Sequence, residues 1–150
     1  MNSNVNDSEA GALAPAAPRQ ASDISELDAI RYSEEGHTVK ILNPRTGAET
    51  GLEITVQGAF AGRFQESLGQ QRKRDALRSK NPVAQAVAAS DDEETSQLLA
   101  SVTIGWTNMI ENGVQVPFTK ANARRIYEAY PVIRGQVLAS AVDVGNFVRG

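Results

Sequence analysis

The sequence predicts an α+β fold, mainly helical, in which an N-terminal β-hairpin packs against three to four helices behind a disordered N-terminal tail. Three observations predict it. Apolar and polar residues alternate on either side of Asn43-Pro44-Arg45-Thr46-Gly47, as they do in a half-buried hairpin. From Leu98 onward the apolar residues recur at helical spacing instead. Met1 to Gln20 is rich in Asn, Ser, Ala, Gly and Pro and poor in large apolar groups, so it lacks the burial that would offset the entropy of ordering its backbone. A chain of 150 residues has room for one core. The expected division is a disordered acidic tail at 1–35 and a single domain at 36–150.

Within the tail, Ser22 is placed to cap a short helix at 23–32, where Ile24, Leu27 and Ile30 form one narrow apolar stripe that could meet the domain or a partner. In the hairpin, Val39 and Ile41 lead into the turn and Leu52, Ile54 and Val56 leave it. Gly58 and Gly62 mark the next turn. An isolated hairpin is marginal in water, so its apolar face needs other elements against it. Arg63 to Lys80 is polar and helix-prone, with a thin apolar face of Phe64, Leu68 and Leu77, and Asn81-Pro82 ends it. Val83 to Ala89 is an alanine-rich link. Ser90, with Asp91, Asp92 and Glu93 behind it, is a capping box whose carboxylates complement the helix dipole. It starts a helix in which Leu98, Leu99, Val102, Trp106, Met109 and Ile110 share a face until Asn112-Gly113 stops it. Thr119 is placed to cap a helix through Ile126 and Tyr127. Pro131 opens the last one, with Ile133, Val137, Ala141, Val144 and Phe147 or Val148 turned inward. The expected core is therefore Leu99, Val102, Trp106, Ile110, Ile126, Ile133 and Val137.

The residue inventory points away from chemistry. There is no cysteine for a disulfide or thiolate site, and His37, read as a solvated residue at a strand start, is the single imidazole. No phosphate-binding glycine loop, nucleophile elbow or cluster of ligands is present, so neither an enzyme, a metal nor a cofactor is expected. The four carboxylates at 91–94 point in different directions around a helix start and suit the dipole better than a cation. No apolar run approaches the roughly 18 residues of a membrane span, and no secretory leader is readable, which makes the cytoplasm the expected compartment.

The net charge of -3 is unevenly distributed. Residues 1–35 hold seven acids against two bases, residues 36–90 four against eight, and residues 91–150 seven against five. The basic cluster of Arg72, Lys73, Arg74, Arg78 and Lys80 has no interleaved aromatics to stack bases, so nucleic acid fits poorly. It reads as a solvated helix face or a docking surface for an acidic protein. Phe118, held in a loop between Pro117 and Thr119, is the other candidate partner contact.

In order along the chain stand Ile41-Leu42-Asn43-Pro44-Arg45-Thr46-Gly47, a second strand ending Ile54-Thr55-Val56-Gln57-Gly58, and a basic polar helix. Gly105-Trp106, Asn112-Gly113, Val116-Pro117-Phe118-Thr119 and Asn122-Ala123 follow, then Ile133-Arg134-Gly135-Gln136-Val137 through Asn146-Phe147. From about His37 to the C-terminus this order resembles the tail assembly chaperones of long-tailed bacteriophages. The resemblance implies a non-enzymatic helper that coats the tape measure protein in the host cell cytoplasm, recruits tail tube subunits and leaves before the tail is complete. It also implies a short form made beside a frameshifted longer one. Such helpers carry no catalytic residues to transfer, and their binding residues form no strict motif. The alternative is a structural tail or head-completion protein retained in the virion.

Overall fold

The computed structural model describes residues 23–80 and 91–149. The tail before residue 23, the Ser22 cap, the Val83 to Ala89 link, the Ser90 cap and the side chains of Arg78 and Lys80 lie outside that description. The fold is α+β: among the described residues it contains five α-helices, a three-stranded antiparallel sheet and a two-stranded hairpin.

Strands β1 (His37–Leu42) and β2 (Glu49–Val56) pair as the alternation requires, with Val39 opposite Ile54 and Lys40 opposite Glu53. The turn between them closes on itself. Asn43 accepts from Arg45 through its side chain and from Gly47 through its carbonyl, and Gly47 has the positive φ of 76° that the return needs. Val39, Ile41, Ile54 and Val56 are buried on one face. The other face carries Thr38, Lys40 and Thr55, with the Thr38 and Thr55 hydroxyls 3.0 Å apart.

Ahead of the sheet, a 3₁₀ turn (Ile24–Leu27) and helix α1 (Ala29–Glu35) are capped by Asp23 and Asp28. The ordered fold thus begins before residue 36, and the helix runs three residues past the expected 23–32. Its attachments explain why. Glu34 accepts a hydrogen bond from the Gly62 amide at 2.7 Å, Gly58 donates to the Ser33 carbonyl, and the Arg149 guanidinium lies 4.0 Å from the Tyr32 ring centre. Ser33 is fully buried here, and a Cβ on Gly58 would come within 2.8 Å of the Phe147 ring and 2.6 Å of the Ser33 hydroxyl. Ile24, Leu27 and Ile30 face solvent, so the stripe does not dock on the domain.

Helix α2 (Gly62–Lys80) buries Phe64 and leaves Leu77 exposed. Helix α3 (Asp91–Val102) buries Leu98, Leu99 and Val102, then stops. The long helix expected through Trp106 and Ile110 does not form. Thr103–Thr107 is instead strand β3, which takes the free edge of β2 and sets Trp106 opposite Ile54. Consecutive β-branched residues and a glycine, Thr103-Ile104-Gly105, are poor helix formers, and the β2 edge offers them a ladder. Trp106 is consequently half-buried, and Ile110 is 57% exposed. Asn112-Gly113 does not end a helix either. With φ of 51° and 81° the pair makes the two-residue turn of a small hairpin between β4 (Ile110–Glu111) and β5 (Val114–Gln115).

Helix α4 (Lys120–Ala129) starts under the Thr119 hydroxyl, which accepts from the Asn122 amide, and α5 (Pro131–Val142) starts at its proline. The last helix ends earlier than its apolar pattern suggested. Asp143 caps a separate 3₁₀ turn (Val144–Phe147), leaving Val144 exposed while Phe147 is buried. The helices cover the apolar face of the sheet, and the core joins Leu99, Val102, Ile126, Tyr127 and Val137 to the strand residues, with Ile133 and Trp106 packed at its margin.

Candidate functional site

At the far end of the sheet from α1, the tip of the β1–β2 hairpin, the β4–β5 hairpin and the α4–α5 corner surround an open groove of about 810 Å³. Ile41, Met109 and Ile126 form its buried floor, and Leu52 and Ile133 continue it half-exposed. Leu42, Ile110, Tyr130 and Val132 stand on its rim, each more than a third exposed. Local chemistry presents these rim residues. Asn108 adopts φ of 60°, turning the chain out of β3, and donates to the Gly51 carbonyl at 3.0 Å. That turn lifts Ile110 over the groove. Pro131 forces the corner between α4 and α5, which places Tyr130 and Val132 on its outer side. The Gln136 amide donates to the Leu42 carbonyl at 2.8 Å and accepts from the Leu42 amide at 2.9 Å, pinning the end of β1 to α5.

One polar cluster braces the rim. Arg125 reaches both oxygens of Glu111, at 3.0 and 3.2 Å, and the Tyr130 hydroxyl donates to the same carboxylate. The Arg125 hydrogen bond, then that of Tyr130, holds the Glu111 carboxyl below its ordinary range. Glu111 in turn raises both Arg125 and Tyr130. The three groups satisfy one another, so the groove itself presents apolar side chains, asparagine amides and Thr50. Such a surface can desolvate and hold an apolar segment.

The residues chosen from sequence do not gather here. Arg72 and Lys73 are exposed on α2 and Arg74 is half-buried there, away from the groove. Phe118 is not a free anchor: it is half-buried, with its ring 5.0 Å from that of Trp106 at an angle of 85° and the Lys120 ammonium 5.7 Å from its centre. The Trp106 indole donates to the Val116 carbonyl at 2.9 Å, so the loop and the tryptophan brace each other. His37 is half-buried edge-on against Phe147 rather than solvated. Among the described residues, no three imidazole or carboxyl groups converge at metal-ligand spacing, and no helix is long and apolar enough to cross a membrane.

Of the rim residues, Ile110 was expected in the core, and Leu42, Tyr130 and Val132 were not among the expected contacts. One signal for Ile110 existed: Asn-Gly flanked by Ile110 and Val114 is a hairpin signature, and a hairpin there cannot bury Ile110 in a helix face. Compared with protein-family models, with curated proteins and with solved structures, the chain finds no match.

Proposed function

We propose that this chain is a protein-binding helper, and specifically a tail assembly chaperone of a long-tailed bacteriophage. It holds apolar helical segments of the tape measure protein in the groove, keeps that protein soluble in the host cell cytoplasm, and brings it tail tube subunits. It performs no catalysis. One observation carries the reading: segments on which the resemblance rests supply part of the groove. Ile41-Leu42-Asn43-Pro44 forms its hairpin wall, Asn112 closes the β4 side, and Ile133 lies against its floor.

The physical case is independent of the family. A long helical partner exposes apolar stripes at i, i+3, i+4 and i+7 spacing, and a groove whose one lining carboxylate, Glu111, is already paired with Arg125 can take such side chains against its apolar floor. Co-expression with the tape measure protein of the same phage tests the role. The expected result is a soluble tape measure protein that co-purifies with the chain; an equally insoluble protein with and without the chain overturns it. Mass spectrometry of purified particles separates the alternative, since a structural tail or head-completion protein would be found in them and a chaperone would not.

A further inference from the structure

Helix α4 has a second feature at its opposite end. Around Lys120, a shallow concavity of about 480 Å³ lies between the start of α2, the end of α3 and the start of α4. Ala100 and Ala121 form its floor, and Arg63, Lys120 and Arg124 stand around it. The Lys120 ammonium donates to the carbonyls of Ser101 at 3.1 Å and Thr103 at 2.7 Å. Arg63 donates to the same Ser101 oxygen at 3.5 Å. Two cations thus converge on one neutral acceptor, while Arg124 is held by Glu128 at 2.9 Å. Three positive groups around this floor are met by one acid among the described residues. Burial, and then the Arg63 charge, hold the Lys120 ammonium below its ordinary range.

We propose that this concavity, with its cationic rim, is a docking site for an acidic peptide segment of a partner protein, taking the methylene stem of a glutamate against Ala100 and Ala121 and its carboxylate at the rim where Arg63 and Lys120 converge, on the side that Arg124 flanks. The charges are complementary to a carboxylate, and the alanine floor matches its stem. A nucleic acid suits the site less. No aromatic lines the concavity to stack a base, and Phe118, under the Lys120 ammonium, already packs edge-on with Trp106. The chain's net charge of -3 disfavours a long polyanion. The concavity and the apolar groove share no lining residue, so loss of one leaves the other intact.

The test is an amide-resolved NMR titration of the full chain with a peptide of about fifteen residues built from Glu and Ala, which has no large apolar side chain for the groove and is long enough for marginal helicity. Controls are the same peptide with Gln for Glu, a single-stranded DNA oligonucleotide, and the chain carrying R63Q and R124Q. Both substituted side chains are exposed and lie outside the core, and an unchanged thermal midpoint verifies the fold. The expected result is shifts gathered at Arg63, Ala100, Ser101, Lys120 and Arg124. Binding should weaken about fivefold or more with the Gln peptide and in the variant, the loss of two exposed ion pairs, and should fall with salt. Equal binding by both peptides, equal binding by the variant, shifts gathered at the groove, or no shifts would each overturn the proposal. Tighter binding of the oligonucleotide at the same residues would overturn its ligand class.

Discussion

Tyr127 lies wholly inside the core, its hydroxyl 2.7 Å from that of Thr103, which is itself 2.7 Å from the Leu99 carbonyl. Burial pushes the phenol up to about 12 from 10.0, against the opposing pull of Thr103. Because the folded value is the higher one, the neutral phenol's contribution is intact below pH 10 and is lost as pH rises toward 12. Denaturant unfolding between those limits should show stability falling by roughly 2–3 kcal/mol from this group. Tyr127→Phe should lose about 1 kcal/mol near neutrality, where the hydroxyl's hydrogen bond is missing, and should lack that alkaline decline. At Gly58, a methyl group would meet the Phe147 ring and the Ser33 hydroxyl, so Gly58→Ala should cost about 1–3 kcal/mol in the same measurement. Such residues differ in how far local sequence reveals them. Leu99, Val102, Ile126 and Val137 announce themselves by spacing, and the structure buries all four. The close approach at Gly58 is invisible until α1 and the C-terminal turn, remote in sequence, are brought together.

The same contrast holds for whole elements. The β1–β2 hairpin and the starts of α4 and α5 were legible because their signals are local: alternation, a hydroxyl that caps, a proline whose φ is already helical. The segment after Val102 was misread because Val102, Trp106, Met109 and Ile110 happen to keep helical spacing. The unpaired edge of β2 decides otherwise, an influence that no local window contains. The small hairpin that follows depends on its turn. Gly113, at φ of 81°, leaves open space for a Cβ but demands a backbone that side chains disfavour. Gly113→Val should therefore destabilise by about 1 kcal/mol or more through strain alone, read as a lower denaturation midpoint with unchanged slope. Thr119→Ala should cost about 1 kcal/mol by removing the cap of α4.

At the scale of the molecule, one sheet face and the helices over it are given to stability, and part of the exposed apolar surface gathers into a groove between the hairpin tips and the α4–α5 corner. The basic α2 helix and Phe118 stand out as candidate contacts because charge runs and loop aromatics are readable along a chain. A groove assembled from four separate segments is not. Ile110 and Val132 are 57% and 48% exposed, so replacing both with aspartate should leave folding stability within about 0.5 kcal/mol per site. The proposed groove is tested by calorimetric titration of a soluble helical fragment of the tape measure protein against the native chain and against this Ile110→Asp, Val132→Asp variant. The native chain should bind with a negative heat-capacity change, and the variant, at an unchanged thermal midpoint, should bind at least about tenfold more weakly. Equal affinity of the two forms would contradict the proposed groove.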